Sequence, residues 1–362
     1  MQMVNQRIPA RLWLLIGYAA ASAALFAAPL YLSDFRLNLL AKCLAFAIVA
    51  LGLDLIWGYT GILSLGHGVF FGLGGYAMAM YLKLEASGGK LPDFMEWSGL
   101  SGLPAFWKPF GSFGFAFAAG ILIPALLALL LGYVTFRNRI KGVYFTILTQ
   151  ALVIIATTLL IGQQAYTGGT NGVTGYSKVL GYSISDPATK QAMYLVTVAL
   201  LIAAFILCRF LVKSRFGKVL RAIRDGENRV RFIGYNPAHY QMTAFAISGG
   251  LAGLAGMLFV LHVGIISPSM MGIVPSVEMV LWVAIGGRGT MIGAALGALL
   301  MNWGKSEISA YYPDAWLFFM GALFVVVVVF MPSGVAGLVS RIRFRKRKVT
   351  NHEEGVIRNP AV

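Results

Sequence analysis

From Arg209 to Arg231 the chain reads RFLVKSRFGKVLRAIRDGENRVR, a basic island between two stretches that only a membrane accommodates. YLVTVALLIAAFILC (194–208) precedes it and AFAISGGLAGLAGMLFVL (244–261) follows. Charges this dense between two spans place the island on the cytoplasmic side and point to a soluble partner that reads them. Composition agrees: 58% of residues are hydrophobic and only 12% charged, against about 25% charged in soluble domains. The 43 glycines suit helices that approach closely within a bilayer. The expected class is all-α, a polytopic helical membrane protein.

About 20 apolar residues carry a helix across the hydrocarbon core. Runs at 12–32, 38–57, 62–82, 113–135, 143–162, 192–212, 241–262 and 313–331 fit that requirement. The first run has Arg7 and Arg11 in front and Ala27–Ala28 near its end, in the manner of a signal peptide. Its apolar stretch is long for such a leader, which favours an uncleaved span. Segment 276–303 is harder. As a single helix it would send the basic tail Arg341, Arg343, Arg345, Lys346, Arg347 and Lys348 outside. Two short spans turning at Gly286–Gly289, or a re-entrant hairpin, keep both the tail and Arg288 inside. The reading is about ten membrane segments with both termini cytoplasmic. A transmembrane domain covers 1–340, with its cytoplasmic loop at 209–236, and a basic cytoplasmic tail covers 341–362.

The net charge of +16 sits at membrane-flanking positions such as Arg137, Arg139 and Lys141, so it signals orientation and anionic lipid, not nucleic acid. Loops 83–111 and 163–190 are long and nearly neutral, as expected on the outer side. Cys43 and Cys208 fall in apolar runs and read as packed small hydrophobes. The four histidines have no metal-ligand spacing. No metal, cofactor or catalytic residue is expected. Gly304-Lys305-Ser306 ends like a phosphate-binding loop, but Leu299 stands where its first glycine must be, so the chain holds no ATP site of that kind.

In the island, Phe216, Val219, Leu220 and Ile223 recur at helical spacing, with Lys218, Arg221 and Asp225 opposite, and Gly226 ends the pattern. Such a helix lies along the membrane face. Gripping anionic lipid explains its bases, but not the carboxylates Asp225 and Glu227, which favour a protein partner. Gly249-x-x-x-Gly253 and Gly289-x-x-x-Gly293-x-x-x-Gly297 read as helix-packing faces. Gly58-Tyr-Thr-Gly61 and Gly286-Gly-Arg-Gly289 interrupt apolar stretches and are candidate pathway elements. Intramembrane polar residues are few: Asp54, Ser64, His67 and Glu278. Each is costly there and hence a functional candidate, although His67 equally suits helix packing. With Tyr59 and Thr60, the candidate translocation residues are Ser64, His67 and Glu278.

LGLDLIWGYTGILSLGHGVFFGLGGYAMA (51–79), KGVYFTILTQAL (141–152), TGGTNGVTG (167–175), SRFGKVLRAIRDGENRVRFIGYNPAHYQMTAFAISGGLAGLAG (214–256) and EMVLWVAIGGRGTMIGAALGA (278–298) follow in natural order. Together they resemble the membrane permease subunits of branched-chain amino acid/urea-type ABC importers, over about residues 37–338. LPDFMEW (91–97) and PAFWKPFGSF (104–113) resemble the urea-transporting branch. Arg229-Val-Arg231 is more basic than that family's usual run, and the second helix of 276–303 is short for it. The resemblance implies a bacterial inner-membrane subunit, itself not an enzyme. A second homologous permease, two cytoplasmic ATPases and a periplasmic solute-binding protein would complete the importer. Phe216, Leu220, Arg221, Arg224, Asp225 and Glu227 would form the ATPase-coupling helix. The expected cargo is urea, with branched-chain amino acids as the alternative and a passive urea channel or ion-coupled carrier as the rival class.

Overall fold

The computed structural model describes residues 10–312, 315–330 and 334, so Arg7 and the tail at 341–362 lie outside the described residues. The described residues form α1 (Ala10–Ala27), α2 (Asp34–Thr60), α3 (His67–Ala86), α4 (Asp93–Trp97), α5 (Phe113–Arg137), α6 (Val143–Gly162) and α7 (Gln164–Thr167). They continue with α8 (Pro187–Lys213), α9 (Arg215–Phe232), α10 (Pro237–Val263), α11 (Ile273–Gly286), α12 (Met291–Tyr311) and α13 (Trp316–Phe330). Five of these helices, α2, α5, α6, α8 and α10, are long and apolar enough to cross a membrane.

Local chemistry sets the ends. α8 and α10 open on Asp186-Pro187 and Asn236-Pro237. The Asp186 carboxylate accepts from the Thr189 N–H, the Asn236 side chain accepts from the Ala238 N–H, and proline takes the first turn, where its missing donor is harmless. α2 and α10 stop where Gly61 and Gly264 adopt left-handed backbone, each with φ of 77°.

α2 and α10 are apolar all round and occupy the centre of the bundle. Leu44, Ile48, Leu51 and Leu55 of α2 are fully buried, as are Ala252, Ala255 and Val260 of α10. α3 joins them at backbone contact. A Cβ on Gly74 would strike the Gly253 carbonyl, and one on Gly256 would strike the Phe71 carbonyl, so Gly253, expected at a helix contact, does lie at one. α5, α6 and α8 form the periphery and leave Leu126, Ile155 and Phe210 exposed, an apolar surface for lipid or a partner subunit to cover. Cys43 and Cys208 are buried and unpaired.

Four departures from the expected organisation have physical causes. The span expected at 62–82 begins as a helix only at His67, and residues 61–66 form a loop in which Ile62, Ser64 and Gly66 are buried. Threonines of α6 satisfy its backbone: Thr149 Oγ1 accepts from the Leu65 N–H at 3.1 Å, and Thr146 Oγ1 donates to the Leu63 carbonyl at 2.9 Å. The segment at 276–303 is a pair of helices turning at 287–290, but the short member is the first. α11 has 14 residues, about 21 Å of rise, whereas α12 has 21 and reaches Tyr311. The island helix is not ended at Gly226. Its backbone leaves helical geometry there and resumes to Phe232. Finally, the connections at 163–186 and 264–272 hold two small ladders within an otherwise helical fold. β1 (Val173–Thr174) pairs antiparallel with β4 (Ile265–Ile266), and β2 (Lys178–Val179) with β3 (Tyr182–Ser183).

Ion pairs and hydrogen bonds tie the connections between helices down. Lys83 at the end of α3 pairs with Asp93 at 2.8 Å and donates to the Thr174 carbonyl at 2.9 Å. Trp107 Nε1 donates to the Tyr166 carbonyl at 3.0 Å.

Candidate functional site

The island meets the rest of the chain at one end of the bundle. Leu220, Ile223 and Val230 of α9 are buried against the adjoining ends of α2, α8 and α10, and the half-buried Phe216 ring stacks on Tyr240 with centroids 5.7 Å apart. The apolar face of the island is therefore covered by its own protein. A helix that only floated in the interface would give that face to lipid. Lys218, Arg221 and Asp225 remain exposed on the other side, open to a soluble partner.

The two carboxylates of the island do different work. Asp225 is exposed and pairs with Arg224 at 3.0 Å. Glu227 turns inward: it accepts from Arg231 at 2.7 Å and pairs with Lys141, in the α5–α6 connection, at 3.3 Å. Burial pulls the Glu227 carboxyl upward, but the hydrogen bonds and charges of Arg231 and Lys141 outweigh it and hold it below the usual glutamate range. A depressed folded pKa means that the contribution is complete above the ordinary glutamate value and disappears only as pH falls through the depressed one. The tie is therefore intact at neutral pH.

Arg224 reaches further. Its Nη1 donates to the Gly58 carbonyl at 2.7 Å, near the end of α2. The same stretch of α2 holds the 287–290 turn. Asp54 Oδ1 accepts from the Gly289 N–H at 2.6 Å, and Tyr59 Oη donates to the Gly289 carbonyl at 2.9 Å. Arg288 lies over the Trp57 ring at 6.0 Å. The two glycine-broken segments singled out by sequence thus meet each other and the island at one junction, and the turn lies at the island's end of the bundle.

The residues assigned to a pathway are not brought together. Tyr59 belongs to the junction. Thr60 Oγ1 donates back to the Ile56 carbonyl at 2.7 Å within its own helix. Ser64 is fully buried in the 61–66 loop, where its Oγ accepts from the Gly66 N–H at 3.3 Å. His67 Nε2 lies 2.8 Å from Ser248 Oγ of α10, among Phe70 and Phe245. None of them lines the two described cavities, one of about 570 Å³ beside Tyr81, Glu85 and Lys108 and one of about 470 Å³ beside Ile154, Thr157 and Pro268.

Glu278 also faces neither cavity. Lys305 Nζ donates to both of its oxygens at 2.6 and 2.7 Å, and Trp316 Nε1 donates at 3.2 Å, so one carboxylate joins α11, α12 and α13. Replacing it by glutamine should lower thermal stability by about 1 kcal/mol, a modest loss because Lys305 is partly exposed. Thermal unfolding in detergent measures this, and uptake per folded molecule should be unchanged. A selective fall in uptake would return Glu278 to the pathway.

Sequence reasoning singled out Asp54 only as a costly carboxylate and missed its partner. The available signal was a polar acceptor one helical turn before a glycine that interrupts an apolar run. Lys141, Thr146 and Thr149 carried no such mark.

The family model described as branched-chain amino acid transport system / permease component matches residues 35–328. The high-affinity branched-chain amino acid transport system permease protein LivM of Salmonella typhimurium is 26% identical over 329 residues, 85% of this chain and 71% of that one. BraD of Pseudomonas aeruginosa, of the same description, is 25% identical over 313 residues, 81% of this chain and 91% of its own. A probable branched-chain amino acid transport permease protein LivM of Methanocaldococcus jannaschii is 26% identical over 324 residues, 80% and 89% of the two chains. No solved structure matches the chain.

Proposed function

We propose, since this chain belongs to the branched-chain amino acid transport system permease family, that it forms half of the membrane pathway of an ATP-driven importer. The members it matches are transport permease subunits, not enzymes, and the chain is a multi-pass protein of the inner membrane. A second homologous permease supplies the other half of the pathway, two cytoplasmic ATPases drive it, and a periplasmic solute-binding protein delivers the cargo. α1, α2, α3, α5, α6, α8, α10, α11, α12 and α13 are the ten membrane segments, with both termini cytoplasmic.

One observation carries this reading. The island is seated on its own bundle by its apolar face, presents bases outward, and is fastened through Arg224 to the broken end of α2. A passive channel or an ion-coupled carrier has no use for such a helix. Phe216 and Leu220 seat it, Arg224 fastens it to α2, Arg221 and Asp225 face the ATPase, and Glu227 holds its second half to Lys141.

The names of the relatives support branched-chain amino acids as cargo better than urea. Urea is the second reading, supported by the outer segment at 91–113. That segment is folded onto the outer end of the bundle through α4, the buried Met95 and the Trp107–Tyr166 bond. ATPase subunits should co-purify with the tagged chain, and labelled leucine should accumulate only in cells that contain it. Accumulation of urea in place of leucine would transfer the assignment to the urea reading. Uptake without any co-purifying ATPase would return the channel or carrier.

A further inference from the structure

We infer that Asp54 and Tyr59 latch the 287–290 turn to the end of α2, so that the island moves the α11–α12 hairpin through them. The inference rests on the reading of α9 as the ATPase-docking helix and adds the route by which its motion enters the membrane.

The geometry is a two-point hold on one residue. Gly289 donates its N–H to Asp54 Oδ1 and accepts at its carbonyl from Tyr59 Oη, across more than two hundred residues of sequence. Between the two holding residues, the Gly58 carbonyl accepts from Arg224 of the island. A Cβ at Gly58 would run into Asp54 Oδ1 and the Gly289 N–H and would lie 2.7 Å from Gly289 Cα. The two backbones are therefore in contact, with no side chain between them to absorb a displacement. Gly61, with φ of 77°, lies beside the stem of the same arginine, so α2 ends where the island pushes.

The choice of residue argues for a positioning role over filling. Asp54 is fully buried, and its Oδ2 has no hydrogen-bond partner among the described residues. Burying a carboxyl is costly unless a specific bond offsets it, and packing alone would be served better by leucine. The one bond Asp54 makes is to the hairpin. The hairpin itself is stiff: a Cβ on Gly286 would strike the Gly293 carbonyl and one on Gly297 the Trp282 carbonyl. Closely packed in this way, α11 and α12 move as a body when the turn is displaced.

The test uses the whole complex, with Arg288→Cys in a background lacking Cys43 and Cys208. Arg288 is exposed in the turn. The rate at which a cytoplasmic thiol reagent labels it should differ between the nucleotide-free complex and one trapped with ATP and vanadate. Asp54→Ala should shrink that difference by roughly tenfold, the weight of a lost buried hydrogen bond. Asp54→Asn, which keeps an acceptor oxygen, should retain most of it. Tyr59→Phe, which preserves shape, should give a partial loss, with assembly and basal ATP hydrolysis unchanged in all three. A residue that served structure alone would alter both states alike. An undiminished difference in Asp54→Ala and Tyr59→Phe would overturn the latch, and so would no difference in the parent. In either case an ATPase that still co-purifies leaves the docking reading standing.

Discussion

Reversing Glu227 to lysine should leave ATP hydrolysis running while solute uptake falls close to background. Glu227 is the inward carboxylate of the island, its side chain only 13% exposed, between Arg231 at 2.7 Å and Lys141 at 3.3 Å. A lysine there makes a site of three cations. Two like charges about 4 Å apart repel by about 4 kcal/mol at an effective dielectric near 20. Lys141 is mostly exposed and can swing into water, which discounts its share. Arg231 is more confined. The second half of α9 then lifts from the α5–α6 connection, while the first half, seated by Leu220 and Ile223, stays in place. The transmembrane helices are untouched, so insertion and assembly should persist. The ratio of solute transported to ATP hydrolysed, measured on reconstituted complex, reads the effect directly. A normal ratio would remove Glu227 from the coupling machinery.

Replacing Gly256 by alanine should cost the chain its folded state at temperatures the parent survives. Its added Cβ would overlap the Phe71 carbonyl, with the Gly75 amide nitrogen 2.9 Å away. Those neighbours are backbone, so no rotamer relieves the clash and α3 must separate from α10. Overpacking of this kind typically costs about 1–3 kcal/mol. Within a bilayer the loss is not recovered by apolar burial, because lipid serves exposed apolar surface as well as a neighbouring helix does. Gly304→Ala is the matched control, since nothing lies within 4 Å of the Cβ it would add. Size-exclusion profiles of the detergent-solubilised proteins after heating should show Gly256→Ala aggregated and Gly304→Ala monodisperse. Equal survival would mean that α3 and α10 are not held at backbone contact.

What could be read from the residues divides along a physical line. Hydropathy locates helices because each crossing needs a length of apolar chain, and charge parity placed a turn at Gly286–Gly289 on the island's side. Hydropathy failed at 62–66 because a buried loop is as apolar as a helix, and only the α6 threonines that satisfy its backbone mark it. The ladders are two residues long, too short for a period of two to show. Composition located the polar candidates but could not give them partners. Asp54 and Gly289 lie on different elements with no periodicity linking them, and Glu278 finds Lys305 and Trp316 only once three helices are packed. Tyr59 stood out because it sits between two glycines in an apolar run, but nothing in that run shows that its hydroxyl meets Gly289. The island was legible at both levels, since amphipathic spacing and the packed face coincide at Leu220 and Ile223.

The central claim is that the outward face of α9 docks on an ATPase. Cysteine at Arg221, an exposed position on that face, in a background without Cys43 and Cys208, tests it most directly. Treatment of the intact complex with a short reagent that couples to the thiol at one end and photocrosslinks to neighbouring C–H bonds at the other should join this chain to the ATPase subunit, and an impermeant reagent should reach the cysteine only from the cytoplasm. Labelling from the periplasmic side, or no crosslink in a complex that contains the ATPase, would contradict the account.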